Sequence, residues 1–268
     1  MNEIGFNSKF SQLQLQHGIL KEQCANQLEM FAHLKDVVGP NLKSVYMMKI
    51  GQFEHQVFEL KAEIARWKRR FALRQAALNR GEQPDFLAIE STLDKEFAAY
   101  IEEVKKHIAE IKEAALVCGA ERLTEEEATE LRNAYLTAVK KLHPDINADQ
   151  PQAAKELWNE IQRAYEEKDW SQVKFLATLV DGVVSGKTSF AASADGLAAL
   201  EKACADLRAR SKELAERTAK LRATVPFTYE TMLEDEDLVR QRQEQLLEQI
   251  QALQACVNEY EEVWKNGQ

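Results

Sequence analysis

The chain of 268 residues carries 44 acidic and 35 basic side chains, which gives a formal net charge of −9 at pH 7. This acidic balance disfavours a general nucleic-acid binder, because such a protein needs a net basic face to displace counterions from phosphates. Only 10 glycines and 5 prolines interrupt a sequence dominated by good helix formers, and no sustained alternating pattern of β-branched residues is present. The sequence therefore predicts a soluble all-α protein with long helices and a hydrophobic core.

The first 118 residues contain three apolar stripes at helical spacing. The first stripe, Phe6 to Phe31, ends before Gly39-Pro40, where we expect the helix to stop. The second, Ile50 to Phe71, alternates steps of three and four residues, which is typical of a helix packed along a partner helix. The third, Phe86 to Ala115, follows after the short connection GEQP. The second and third stripes predict an antiparallel helical hairpin.

The C-terminal region, residues 186–268, carries two more stripes, Leu197 to Leu221 and Leu246 to Trp264. Pro226 breaks the chain between them, so they predict a second antiparallel hairpin. A two-helix hairpin alone buries little apolar surface. The flanking helices are therefore expected to pack on one another, on the middle segment or on a second copy of the chain, as in a homodimer.

Between the two predicted hairpins, residues 119–185 carry signals for three shorter helices. Thr124 and Glu127 have the spacing of a capping box, which contributes about 1 kcal/mol to the start of a helix. That helix has to end at His143, because Pro144 pushes the preceding residue out of the α region.

A second short helix is predicted after the polar loop INADQ, because Pro151 suits a first helical turn. Its inward face would be formed by six apolar or aromatic residues, namely Ala154, Leu157, Trp158, Ile161, Ala164 and Tyr165. Residues 170–180 are apolar enough to form a third helix that covers the first two. The most apolar stretch of the chain, Phe175 to Val184, is interrupted by Asp181 and Gly182 and is too short to cross a bilayer.

The segment LRNAYLTAVKKLHPDIN at 131–147, followed by AAKELWNEIQRAY at 153–165, resembles helices II and III of a J domain. The tripeptide His143-Pro144-Asp145 is a weak signal alone, but here it ends a capped amphipathic helix and precedes a second helix at the right distance. The resemblance implies an atypical DnaJ-like co-chaperone, with a J domain inserted between long antiparallel coiled-coil hairpins.

What this resemblance implies is a mechanism without bond chemistry. The loop and the basic face of helix II would dock on a DnaK-type chaperone and speed its ATP hydrolysis. The implied docking residues are His143, Pro144, Asp145, Arg132, Lys140 and Lys141. Proline presets the shape of the loop, the aspartate can accept a charge-assisted pair from an arginine, and the basic residues would steer an acidic partner surface.

The sequence departs from the family at several positions. Leu136, Thr137 and Ile146 stand where the family usually has basic residues. The usual start of helix I is missing, and the end of the preceding long helix, near residues 108–117, could take its place. The glycine/phenylalanine-rich linker and the zinc domain of full-length DnaJ are absent.

Three functions follow from these patterns. The leading hypothesis is an active co-chaperone whose helical arms bind a client or a location. The alternative is a coiled-coil structural adaptor with a degenerate J-like module. A third hypothesis is nucleic-acid association through a basic cluster, although a solvated coiled-coil face is the favoured interpretation of that cluster, which comprises Arg66, Lys68, Arg69, Arg70 and Arg74.

Several classes of site are not expected. The four cysteines lie far apart and form no Cys-x-x-Cys pair, and four of the five histidines show no metal-like spacing. No phosphate loop or nucleophile elbow is present, so we expect neither an enzyme nor a cofactor. The N-terminal residues lack the pattern of a signal peptide, and a cytoplasmic location is the expectation.

Overall fold

The computed structural model describes residues 3–119, 123–147, 150–184 and 193–266, with side chains from residue 7 onward, so Phe6 of the first stripe lies outside the described side chains. Every regular element in these ranges is helical, which confirms the all-α class. None of the helices in the same ranges is long and apolar enough to span a membrane. The α-helices are α1 Glu3–His33, α2 Gly39–Tyr46, α3 Gln52–Asn79, α4 Phe86–Glu96, α5 Ala98–Gly119, α6 Glu125–Leu142, α7 Gln152–Glu166, α8 Trp170–Val183, α9 Ala194–Arg222, α10 Glu230–Glu234 and α11 Glu236–Asn266.

The chain folds into two compact units, and each unit is made of two separate stretches of sequence. Unit 1 consists of residues 1–40 and 121–227, and unit 2 consists of residues 41–120 and 228–268. Both units therefore combine a part of the chain that precedes the His-Pro-Asp segment with a part that follows it. The sequence-based division into three consecutive domains stays a prediction.

The helical backbone does not stop at Gly39-Pro40, so the predicted end of the first helix is wrong. A π-helical segment, Leu34–Val38, follows α1 directly, and the amide of Gly39 donates to the carbonyl of Leu34, five residues earlier. The missing N–H of Pro40 then falls in the first turn of α2, where a proline is tolerated. A second π-helical segment, Met47–Gly51, leads into α3.

One hydrophobic core holds unit 1 together. Helices α6, α7 and α8 pack against one another, which confirms the predicted three-helix segment and the covering role of α8. Helix α1 packs along α9 and also against α6, so both long helices share this core. Its fully buried side chains come from all five helices and include Cys24, Leu142, Ile161, Val173 and Leu200.

The prediction that residues 108–117 would replace helix I of a J domain is wrong. These residues belong to α5, which packs with α3 and α4 in unit 2. The long helix that packs against α6 is α1, from the N-terminal end of the chain. Adjacency in sequence suggested α5, but the apolar side of α1, with Leu20 and Leu28, is buried in the core beside α6.

Unit 2 contains the first predicted hairpin, because α3 packs against both α4 and α5. The carboxylate of Asp85 caps the start of α4 by accepting from the amides of Leu87 and Ala88. The predicted second helix of this hairpin is interrupted at Phe97, which separates α4 from α5. The hairpin is therefore confirmed as a pairing, with one arm divided into two helices.

The predicted pairing of the two long C-terminal helices with each other is wrong. Helix α9 packs along α1 in unit 1, and helix α11 packs along α3 in unit 2. In unit 2 the ring of Trp264 packs edge-on against the ring of Phe71, with centroids 5.2 Å apart. A regular apolar stripe suits any long helical partner, and for this reason its spacing predicted that a partner exists without identifying it.

Candidate functional site

Helix α6 begins and ends where its sequence signals place it. The amide of Thr124 donates to the Glu127 carboxylate at 2.9 Å, and the amide of Glu127 donates to the Thr124 hydroxyl at 3.2 Å. This capping box starts the helix. At the other end, His143 has extended backbone angles, φ −65° and ψ 127°, immediately before Pro144. The His-Pro-Asp segment therefore lies at a firmly defined helix end.

The loop after α6 is held by its own hydrogen bonds. The amides of Ile146 and Asn147 both donate to the carbonyl of His143, at 3.0 and 2.9 Å. The amide of Asp145 donates to Nδ1 of His143 at 3.1 Å. Together with the fixed φ of Pro144, these bonds define the backbone shape of residues 143–147.

The imidazole of His143 packs edge-on against the indole of Trp158 in α7, with ring centroids 4.9 Å apart. Burial lowers the pKa of His143, Asp145 opposes this shift, and the charges of Arg210 and Arg217 add to it. The ring is therefore neutral at pH 7. Because Nδ1 accepts the amide of Asp145, the neutral ring carries its proton on Nε2.

The carboxylate of Asp145 already has an arginine partner. Nη2 of Arg210 in α9 donates to Oδ1 of Asp145 at 2.8 Å, and Nη1 of the same guanidinium donates to Glu213 at 2.9 Å. The sequence predicted that Asp145 could accept an arginine, and the structure contains such a pair within the chain. This pair joins the loop to α9.

Two of the three basic residues of α6 that were predicted to dock form ion pairs with α1. The guanidinium of Arg132 donates twice to the carboxylate of Glu29, at 2.9 and 3.0 Å. Glu29 is almost completely buried, with a side chain 1% exposed, so this carboxylate depends on its arginine. Nζ of Lys140 donates to Glu22 at 2.7 Å on the outer part of the same contact.

Lys141, the third basic residue predicted to dock, pairs with Asp181 of α8 and not with α1. The structure therefore places Arg132 and Lys140 towards α1 and Lys141 towards α8. Each of these three cations has a carboxylate partner in unit 1.

Sequence reasoning missed the residues of α1 and α9 that contact this site. Besides Arg210, Glu22 and Glu29, they include Lys21, whose Nζ donates to the side-chain oxygen of Asn147 at 2.9 Å. These contacts join positions that are 65 to 126 residues apart in the chain. No local motif marks them.

Three arginines of the basic cluster of α3, which was considered as a nucleic-acid site, form ion pairs within unit 2. Arg66 and Arg70 both bind Glu90 of α4, at 3.0 and 2.6 Å, and Arg69 binds Glu96 at 2.8 Å. These pairs favour the structural interpretation of the cluster. In the parts of the chain that the structure describes, no group of three or more His, Cys, Asp or Glu side chains is placed to hold a metal ion.

Comparison with known families bears on the same segment. The family model of the DnaJ domain matches residues 122–167, which include α6, the His-Pro-Asp loop and α7. The chain carries a J domain. A J domain indicates, in general, a co-chaperone rather than an enzyme, and a DnaK-type chaperone as the kind of partner. The comparisons with curated proteins and with solved structures gave no match.

Proposed function

We propose that this protein docks its J domain on a DnaK-type chaperone and stimulates ATP hydrolysis by that chaperone. The observation that carries the proposal is the geometry of His143-Pro144-Asp145 at the end of a capped helix, inside the segment that matches the J-domain model. The docking residues of the proposal are this loop together with Arg132, Lys140 and Lys141.

The chemistry of the loop suits recognition. Its backbone is held by hydrogen bonds to His143, so binding would require little ordering of the loop. Nε2 of His143 can donate a hydrogen bond, and the carboxylate of Asp145 can form a charge-assisted pair with a partner arginine. The contact of Asp145 with Arg210 supports this role, because its carboxylate accepts a guanidinium there at 2.8 Å.

Unit 2 is our candidate for the recruiting part of the protein, which would bind a client or a location. It has hydrophobic clusters of its own, and none of the proposed docking residues belongs to it. Its partner, a homodimer and the cytoplasmic location stay predictions from the sequence.

A single-turnover ATPase assay with a DnaK-type chaperone tests the proposal. We expect the wild-type protein to accelerate hydrolysis, and His143→Gln to return the rate to that of the chaperone alone. His107→Gln, a change of the same type in unit 2, is the matched control and should stimulate like wild type. The proposal is wrong if wild type gives no acceleration, or if His143→Gln stimulates as well as wild type.

One observation favours the structural adaptor as a second candidate. All three basic residues of α6 proposed for docking are already paired with carboxylates of the same chain. A degenerate module would retain this paired state and would bind the chaperone without accelerating it. The same assay separates the two functions when it is combined with a direct measurement of chaperone binding.

A further inference from the structure

The charged residues proposed for docking are not free in unit 1. Asp145, Arg132, Lys140 and Lys141 each have an oppositely charged partner. Three of the four partners lie on the two long helices: Glu22 and Glu29 on α1, and Arg210 on α9. We call α1 and α9 together the cover.

The cover also contacts uncharged parts of the docking region. Lys21 of α1 binds Asn147, the residue that closes the loop. Ile146 is 9% exposed and belongs to the same core as Leu20 of α1 and Leu207 of α9. The two helices of the cover therefore lie against the loop as well as against α6.

The chemistry of these contacts imitates that of a docking partner. The cover presents carboxylates to the basic residues of α6 and a guanidinium to Asp145, which is the complement that the docking residues would require from a chaperone. Arg210 already occupies Oδ1 of Asp145 and offsets its negative charge, so an arginine of another protein gains less from this carboxylate while the internal pair holds. The internal and external contacts therefore compete for the same charged side chains.

We propose that the cover is an autoinhibitory device that holds the docking face of the J domain closed until a DnaK-type chaperone displaces it. This inference rests on the proposed function. If only the open state binds, the apparent affinity for the chaperone is reduced by the fraction of molecules that are open. Displacement of the cover, and not the docking contact alone, then sets how strongly the protein stimulates its partner.

The contacts of the cover differ in strength along its length. Glu29 is buried and joins α1 firmly to α6. The pairs nearest the loop are more accessible: Arg210 and Asp145 are 36% and 23% exposed, and Lys140 and Glu22 are 38% and 62% exposed. Exposed pairs contribute little to stability, so the loop end can open while the core beside Glu29 remains packed.

The test is a charge reversal in the cover. Arg210→Glu places a second carboxylate beside Asp145 and should open the loop end. At sub-saturating concentration we expect it to stimulate the chaperone about three- to tenfold more than wild type. Arg208→Glu, the same change at an exposed position of α9, is the matched control and should behave like wild type. Arg210→Ala, which removes the pair without adding a charge, should give an intermediate gain.

A second measurement does not depend on the chaperone. Hydrogen exchange at the amides of residues 145–147 should be several-fold faster in Arg210→Glu than in Arg208→Glu, because the cover no longer holds the loop. Circular dichroism and thermal melting check that both variants fold. Equal exchange rates in the two folded variants would overturn the cover as a closing device.

The outcomes separate this inference from the proposed function. Greater stimulation by Arg210→Glu, removed by adding His143→Gln, supports both. Stimulation by wild type with no gain in either Arg210 variant refutes autoinhibition and leaves the co-chaperone function standing. If no variant stimulates while the loop amides exchange faster in Arg210→Glu, the cover is a real contact, but the proposed function fails and the autoinhibitory role fails with it.

Discussion

The three short helices of unit 1 pack on one another as near neighbours in the chain, whereas its two long helices pair across a large separation in sequence. Helices α6, α7 and α8 follow one another in the chain, and each packs on the other two. Helices α1 and α9 lie on opposite sides of that segment in sequence and pack along each other. Contacts between consecutive helices follow from short connections, whereas a pairing across more than a hundred residues has no local signal. The J-domain segment and its cover therefore share one core, although only the J-domain segment can be recognised from the sequence.

We expect the largest effect from truncations in this core, which test whether the short and the long helices depend on it together for their stability. Ile161 in α7 and Leu200 in α9 are both fully buried in it. Truncation to alanine should lower the free energy of unfolding of unit 1 by about 3 kcal/mol in each case, because each leaves a cavity in a packed core. Urea denaturation followed by circular dichroism measures this loss.

The matched control for these truncations is Leu179→Ala in α8, because Leu179 is 42% exposed and should change stability by no more than about 0.5 kcal/mol. A small loss in the free energy of unfolding for Leu200→Ala, beside a large loss for Ile161→Ala, would contradict a shared core. It would mean that α6, α7 and α8 fold independently of the long helices.

A smaller effect is expected at the contact between α6 and α1. Arg132→Ala leaves the buried carboxylate of Glu29 without its partner, and we expect a loss of about 2 kcal/mol in the free energy of unfolding. Adding Glu29→Gln removes the unpaired charge and should recover part of that loss. The same urea titrations measure both. If the single variant is as stable as wild type, the pair does not join the cover to the J domain.

The smallest expected effect concerns pH. Because burial lowers the pKa of His143, the folded protein binds less proton at this residue than the unfolded chain does. The free energy of unfolding should therefore fall as the pH drops below the usual histidine pKa, and level off below the folded pKa. His143→Gln should reduce this slope, as measured by urea denaturation at a series of pH values. A wild-type slope retained in the variant would assign the effect to another group.

The site was predictable to the extent that its signals are local. Thr124 and Glu127 lie three residues apart, and Pro144 acts on its immediate neighbour, so the start and the end of α6 were both predicted correctly. Arg210 could not be identified in the same way, because nothing near residue 210 distinguishes it from other exposed arginines of a helical stripe. Its role depends on the packing of α9, which brings it within 2.8 Å of Asp145.

The sequence by itself determined the all-α class, the capped helix that ends at His143 and the J domain, since these depend on residues a few positions apart. Only the tertiary structure decided which long helices pair, that α1 packs beside α6 instead of α5, and that Glu22, Glu29 and Arg210 hold the proposed docking residues. The physical reason is that apolar stripes of similar period are interchangeable as partners. Geometry and burial in the complete fold select one pairing among them, and with it the charges that lie against the loop.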